Sequence, residues 1–163
     1  MLNELTETVH QTGHVTWIGI SSAPHSDIQR VESVEALVGH GLAGDHHSKK
    51  KPDKKRQVTL IQEEHFPIIA NWANQPEVRP EQCRRNIVVS GINLIALKNL
   101  TFRIGDVILE GSGSCAPCSR MEETIGEGGF QAMRGHGGIT AKVLVGGEIK
   151  VGAAVEVYQE ATS

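Results

Sequence analysis

Short apolar runs rich in β-branched residues recur along most of the chain, each bounded by Gly, Pro, Asn or Ser. Runs of this length and composition predict strands rather than helices. Nine strands are predicted, at His14–Ile20, Val31–Val38, Val58–Ile61, Asn86–Ser90, Thr101–Ile104, Val107–Glu110, Ile139–Val145, Glu148–Val151 and Val155–Tyr158. The Gly-Gly pair between Val145 and Glu148 is typical of a tight hairpin turn.

Helical spacing is scarcer. Apolar residues recur at helical intervals over Gln62–Asn74, and Pro67 is compatible with that helix only if it lies in the first turn. A second helix is predicted to begin at Pro117 and end near Gly126, and a third to cover Gly129–Arg134.

About nine short strands that do not alternate regularly with helices favour a mainly β fold over a doubly wound sheet. We expect a closed or nearly closed β-barrel with a few short helices. A length of 163 residues fits one domain. The predicted organisation is a polar leader over 1–13, helical or disordered, a barrel domain over 14–158 and a tail over 159–163.

The charge balance restricts the class of partner. A net charge of −3 gives no overall basic face for nucleic acid, although six of the 16 basic residues fall within Lys49–Arg56. That run is predicted as a solvated loop, with a non-catalytic anion- or nucleic-acid-binding module as the alternative. The N-terminal residues lack a secretory pattern and no apolar window spans a bilayer, so we expect a cytoplasmic protein without membrane contact.

The three cysteines, Cys83, Cys115 and Cys118, are too few and odd in number for a disulfide framework. If Pro117 is the first helical residue, Cys118 lies in the first turn, where partial positive charge favours the thiolate. A thiolate serves either as a nucleophile or as a ligand for a soft metal. Cys83 is predicted to be a buried apolar residue, and the role of Cys115 is left open.

The Cys-x-x-Cys spacing of Cys115 and Cys118 also raises a zinc-stabilised scaffold. Structural zinc needs four ligands, and this chain has a single such pair. His46 and His47 are adjacent rather than three to five residues apart, so they do not supply the usual second half of a zinc site.

Polar groups that could surround the cysteine fall in three places. Arg84 and Arg85 begin a strand and could bind phosphate or carboxylate, or form a surface ion pair with Glu81. Glycine-rich stretches around Arg134, His136 and Lys142 could form an anion-binding nest or simple turns. The third place is the loop that carries Asp45, His46 and His47, which could be a polar network, a metal pair or a general base.

Six segments in this order resemble the MOSC domain family, the C-terminal domain of molybdenum-cofactor sulfurases, from about His14 to Tyr158. They are GLAGDHH (41–47), RQVTLI (56–61), RRNIVVSGINL (84–94), FRIGDVILE (102–110), CAPCSRM (115–121) and GGITAKVL (137–144). The chain departs from the family pattern at His46, where an arginine is expected, so no anion contact is carried over to that position.

The resemblance implies a β-barrel that presents Cys118 for molybdenum ligation or sulfur delivery. It implies cofactor-binding residues near Cys118, and with the cationic groups above these are Arg85, Asn86, Asp45, His47, Arg120, Arg134 and Lys142. The cofactor implied is molybdopterin, whereas pyridoxal phosphate belongs to larger relatives and is not expected on this chain.

Two activities agree with this resemblance. The protein could carry sulfur from a donor such as a cysteine desulfurase, or act as a small molybdenum-dependent reductase of N-hydroxylated compounds. Both need the same thiolate, so the sequence leaves carrier and enzyme open.

Overall fold

The computed structural model describes residues 2–159, a succession of short strands with few helices. The strands are β1 (Gly13–Ile20), β2 (Gln29–Val31), β3 (Ser33–Leu37), β4 (Gly41–Leu42), β5 (Val58–Gln62), β6 (Ile87–Ser90), β7 (Thr101–Ile104), β8 (Val107–Ser114), β9 (Ile139–Val145), β10 (Gly147–Lys150) and β11 (Ala154–Val157). The helices are α1 (Leu2–Glu7), α2 (Phe66–Trp72), α3 (Pro80–Cys83), α4 (Arg120–Ile125) and α5 (Gly129–Met133), with 3-10 turns at His46–Lys49, Glu63–His65 and Leu94–Leu97. The predicted tail lies outside the described residues except for Gln159.

Seven strands form a closed barrel in the order β11-β7-β8-β9-β5-β6-β1, and β2 extends the β1 edge. The barrel closes where β11 pairs with β1, which sets Gly13 opposite Val155 and His14 opposite Ala154. Neighbouring barrel strands are antiparallel except β5 and β6, which are parallel. The expected mainly β barrel with few helices is confirmed.

The barrel wall separates two apolar clusters because successive side chains of a strand point to opposite faces. Ile87 and Val89 of β6 pack inside the barrel, whereas Val88 between them packs outside. The inner cluster also holds the fully buried Phe102 and Leu109. The outer cluster joins the barrel wall to α2, α4 and α5 through Trp17, Ile61, Ile69, Met121, Ile125 and Met133.

The single strand predicted over Val31–Val38 is wrong, because the chain changes sheets at Glu32. Val31 pairs with Ile18 in the barrel, while Ser33 pairs with Lys150 in a separate three-stranded sheet of β10, β3 and β4. A run of strand-forming residues without Gly or Pro does not reveal a change of partner strand.

The hairpin predicted at Val145–Glu148 is also wrong. Strand β9 pairs with β5 and β8, whereas β10 pairs with β3 in the small sheet. The two glycines allow the chain to pass from the barrel to the small sheet. A Cβ on Gly146 would lie 2.6 Å from the Ala36 carbonyl oxygen, and Gly147 has a φ of 150°. A side chain there would prevent β10 from reaching β3.

The helix predicted over Gln62–Asn74 is shorter in the structure. A 3-10 turn over Glu63–His65 leads into α2, and Pro67 lies in the first turn of α2, as expected. The predicted third helix is confirmed as α5. Within residues 2–159 no helix is long and apolar enough to cross a bilayer.

Candidate functional site

The three cysteines differ sharply in exposure. None is in a disulfide; Cys83 and Cys115 are buried, and Cys118 is exposed. Burial raises the pKa of the Cys83 thiol to about 12, against the opposing charge of Arg85. Cys118 is therefore the cysteine that solvent and ligands reach directly.

Cys118 does not lie in the first turn of a helix, so that prediction is wrong. Helix α4 begins at Arg120, with Ser119 as its N-cap residue. The Cys118 carbonyl accepts a hydrogen bond from the Met121 amide at 3.0 Å, which forms a turn before the helix. Cys118 is thus held at the end of the loop that joins β8 to α4.

Arg85 fixes the loop that leads to Cys118. This side chain is 5% exposed, and its Nε donates to the Gly137 carbonyl at 2.8 Å. Its Nη2 donates to the carbonyls of Cys115 (3.3 Å) and Ala116 (3.1 Å), and Nη1 donates to the Cys83 carbonyl (3.3 Å). Arg85 therefore ties three chain segments together with donors that the sequence suggested for an anion.

The glycine-rich segment before β9 allows this close packing. A Cβ on Gly137 would lie 2.1 Å from the Cys115 carbonyl oxygen, and one on Gly138 would lie 1.8 Å from the Leu60 carbonyl oxygen. The Gly138 carbonyl also accepts the Cys115 amide at 2.9 Å. Close backbone packing, which was neither of the two sequence alternatives, therefore requires glycine at both positions.

Arg84 turns the other way from Arg85. Its backbone is in the left-handed region, with a φ of 55°, at the C-cap of α3. Its Nη2 donates to the carbonyls of Pro24 (3.1 Å) and Ser26 (2.9 Å), on the loop that follows β1. Among the described residues neither arginine forms the ion pair with Glu81 that the sequence allowed.

Arg84 lies in the electrostatic field of both Cys118 and Arg120. The pKa of Arg84 is lowered by burial first and then by the charge of Arg120, while the charges of Cys118, Asp27 and Asp45 oppose this. The Nη1 of Arg120 donates to His25 Nδ1 at 2.7 Å. Its Nε is buried without a hydrogen-bond partner among the described residues. The Arg84 guanidinium is thus close to both the exposed thiol and the Arg120 guanidinium, whose Nε is an unused donor.

Asp45 is the centre of a buried polar network. Its Oδ1 accepts the Ser21 amide (2.9 Å) and Asn86 Nδ2 (3.2 Å), and its Oδ2 accepts His47 Nδ1 (2.8 Å) and the His47 amide (3.2 Å). Burial alone would raise the pKa of Asp45, but the hydrogen bonds from His47 and Ser21 and the charge of His47 outweigh it and lower the pKa. Asn86 in turn accepts from Thr59 through Oδ1.

This network connects to the cysteine through the loop that follows β1. The Ser21 hydroxyl donates to the carbonyls of Ala23 and Ser26, and Ser26 also accepts from Arg84. His25 of the same loop accepts from Arg120. Asp45 therefore acts on the site by holding the backbone that orients the two arginines.

His46 and His47 pack together, with ring centroids 4.0 Å apart. His46 Nδ1 lies 3.2 Å from the Ser21 carbonyl oxygen and His47 Nδ1 faces Asp45, which leaves both Nε2 atoms available. The pKa of His46 is lowered by burial and then by His47. Asp45, His46 and His47 are the one group of three potential metal ligands found among the described residues, and that group includes no cysteine.

Arg134 and Lys142 lie away from these contacts. Arg134 is exposed beyond α5 and donates to Gln131 of that helix at 3.1 Å. Lys142 lies on β9 opposite Glu110 of β8. Their place in a cofactor site stays a prediction.

Sequence reasoning missed the loop from Ser21 to Ile28 and His25 within it, and it preferred Arg85 to Arg84. Nothing in the loop's composition marks it, because its role comes from long-range contacts with Arg84 and Arg120. The sequence did contain one signal, the two adjacent arginines at the start of a predicted strand. Successive side chains of a strand point to opposite sides, so the two arginines could be expected to make different contacts.

Fold and site together define a small closed β-barrel protein that exposes one of its three cysteines in the electrostatic field of an arginine. A family model described as MOSC domain matches residues 42–156. The chain belongs to the MOSC domain family, as its sequence motifs indicated.

Solved structures share this fold. YuaD from Bacillus subtilis is similar with a TM-score of 0.79 and 21% identity, covering 93% of this chain and all of that one. YiiM from Escherichia coli gives a TM-score of 0.67 at 18% identity, covering 92% of this chain and 72% of that chain. YiiM from Geobacillus stearothermophilus gives a TM-score of 0.68 at 15% identity, covering 90% of this chain and 75% of that chain. No curated protein sequence gives a significant match.

Proposed function

We propose that this protein binds the molybdenum cofactor, with the Cys118 thiolate as ligand to molybdenum and with Arg84 and Arg120 as the cationic groups that hold its anionic part. The observation that carries the proposal is the exposure of Cys118 alone among three free cysteines, with its charge acting on the Arg84 guanidinium. Family membership supports the same cofactor.

The donor set fits such a cofactor. A thiolate is a soft ligand suited to a sulfur-rich metal centre, and guanidinium groups bind phosphate through paired hydrogen bonds. The buried Nε of Arg120 lacks a partner among residues 2–159, so it has a donor to offer an anionic ligand. When bound, the cofactor would supply molybdenum redox and atom-transfer chemistry.

The chain's own residues have separate tasks in this proposal. Cys118 supplies the ligand atom, and Arg85 holds the backbone of the loop before it. Asp45, through Ser21, holds the loop after β1 that accepts hydrogen bonds from Arg84. Asn86 completes the network around Asp45 and makes no direct contact with Cys118 in the described chain.

Two finer versions of the function share this site. As a sulfur carrier, Cys118 would hold a persulfide received from a cysteine desulfurase. As an enzyme, the loaded protein would reduce N-hydroxylated compounds to the N–H compound and water with two electrons from an external electron-donor protein and two protons from solvent. In either version the free thiols suit a reducing compartment, and we propose the cytoplasm.

The test is elemental analysis of tag-free protein purified from cells that make the cofactor, beside the Cys118→Ser variant. We expect molybdenum and pterin in the wild type and their loss in Cys118→Ser. A Cys83→Ala variant is the matched control, because Cys83 is buried and should leave cofactor content unchanged.

Equal molybdenum in wild type and Cys118→Ser, or none in either, would contradict the proposal. If the wild type contains sulfane sulfur but no molybdenum, and Cys118→Ser lacks that sulfur, the protein is a sulfur carrier rather than a cofactor-binding protein. Zinc at one per chain, lost in Cys118→Ser, would replace it by the zinc scaffold.

A further inference from the structure

A second group of titratable side chains lies outside the cysteine site. His65, in the 3-10 turn before α2, meets His136, in the loop between α5 and β9. Their Nδ1 atoms are 3.2 Å apart and the rings meet edge to face. The ring of Trp72 lies 5.3 Å from that of His136.

This contact requires one proton between two nitrogen atoms. One Nδ1 must donate and the other must accept, since neither two lone pairs nor two N–H groups make a hydrogen bond. Burial lowers the pKa of His65 first, the charge of His136 lowers it further, and Glu64 opposes both. The pair therefore favours a single shared proton over two positive charges.

The separation of the two nitrogens also matches that of two ligands on one metal ion. Zinc–nitrogen bonds of 2.0–2.1 Å at tetrahedral angles place two nitrogens about 3.3 Å apart. The Nδ1 atoms of His65 and His136 stand at 3.2 Å, close to this separation, so one ion can replace the hydrogen bond once the rings turn to aim both nitrogens at it.

We propose that His65 and His136 form a two-histidine site for a divalent transition metal such as Zn²⁺ or Cu²⁺, separate from the Cys118 site. Imidazole suits both ions. Glu64 is not a third ligand, because its carboxylate already accepts the Gly91 amide (2.9 Å) and Gln62 Nε2 (2.8 Å). The other coordination positions are open to water or to a small ligand.

The backbone on both sides holds the two rings in place. The His136 amide donates to the Met133 carbonyl at 2.8 Å, and the next carbonyl, that of Gly137, accepts from Arg85. His65 is fixed by the start of α2, whose Phe66 and Ile69 are buried in the outer cluster. The site therefore joins α2 to the α5–β9 loop.

The test is a Cu²⁺ titration in the Cys118→Ser background, so that copper does not react with the exposed thiol. Copper at the pair should quench the fluorescence of Trp72, which is exposed beside His136, and leave the buried Trp17 unaffected. We expect saturable quenching at one ion per chain, confirmed by calorimetry.

His65→Gln and His136→Gln should each weaken binding at least about tenfold, the loss expected when a metal site loses one of its groups. Trp72→Phe should lose the quenching but keep the calorimetric signal. His46→Gln is the matched control, because it alters the other metal-capable cluster and should leave Trp72 quenching unchanged.

Unchanged binding in His136→Gln would overturn the proposal, and so would loss of quenching in His46→Gln. Absence of one-to-one binding in the parent protein would also overturn it. These outcomes are independent of molybdenum content, so failure here is distinguishable from failure of the proposed cofactor binding.

Discussion

Two neighbouring regions of the barrel rim use the same kinds of side chain in opposite ways. Around Asp45, Arg85 and Asn86, polar groups are buried and their donors and acceptors are engaged within the protein. Around Cys118 and Arg120, the thiol is exposed and a guanidinium nitrogen lacks a partner among the described residues. The first region positions the chain, and the second is the one for which we propose a ligand.

The boundary between the regions falls between consecutive residues. Arg84 has a φ of 55° at the end of α3, and the chain then straightens into β6. As a result the Arg84 side chain reaches the loop after β1, whereas that of Arg85 turns into the protein. The two adjacent arginines therefore contact different parts of the protein.

The largest effect on stability is expected from Arg85→Met. This change leaves buried carbonyls of Cys83, Cys115 and Gly137 without their donor, and we expect a loss of about 3–5 kcal/mol in the free energy of unfolding. Arg84→Met should lose less than about 1 kcal/mol, because its contacts are nearer the surface. Urea unfolding of both variants measures the difference. Equal losses in the free energy of unfolding would show that the two regions do not differ in this way.

An intermediate effect is expected from Asp45→Asn. Each carboxylate oxygen of Asp45 accepts two hydrogen bonds, and the asparagine amide keeps only one of these oxygens. Two donors therefore lose their acceptor, and we expect a loss of about 2 kcal/mol in the free energy of unfolding near neutral pH. The exposed Asp106→Asn is the control. Urea unfolding at several pH values measures the difference between the two variants.

The pH dependence of this effect has a defined sign. The folded pKa of Asp45 lies below its ordinary value of 3.8, so the stability it contributes is present above about pH 4 and is lost as the pH falls through the folded pKa. The deficit of Asp45→Asn should therefore narrow in acid. A deficit that stays constant from pH 7 to about pH 2 would argue against the ionised network.

The smallest effect on stability is expected from Cys118→Ser, within about 0.5 kcal/mol, because the side chain is exposed. The same change should remove the rapidly alkylated thiol of the folded protein. Cys83, buried and with a pKa of about 12, should react at least about a hundredfold more slowly. Peptide mass spectrometry after iodoacetamide measures both rates, and equal labelling of Cys83 and Cys118 would refute this assignment.

The barrel could be predicted because strands leave a direct record in the sequence, as short runs of β-branched residues with turn residues at their ends. Thr101–Ile104 and Ile139–Val145 coincide with β7 and β9, and the positions of Gly and Pro mark the strand ends. Changes of partner were not predictable at Glu32 or Gly146, where the chain leaves one sheet for another. Local composition records that a segment is extended, and it does not record the strand with which it pairs.

The sequence singled out Cys118 among the three cysteines, and the structure shows it as the exposed one; the surroundings were harder to predict. Exposure of Cys118 agrees with its expected role, but the start of α4 was placed too early because Pro117 suits a first helical turn. The tasks of Arg84 and Arg85 depend on one left-handed residue, and His25 is recruited from a segment 95 positions from Arg120. Such contacts exist only after the barrel has closed.

The Arg85 contacts have a consequence for the thermodynamics of ligand capture. Ordering one residue costs about 1–2 kcal/mol of conformational entropy. Because Arg85 already immobilises Cys115, Ala116 and Gly137, that entropy is lost during folding rather than at the moment of association. A ligand arriving at Cys118 therefore meets a loop with little freedom left to lose, and more of its contact energy becomes affinity.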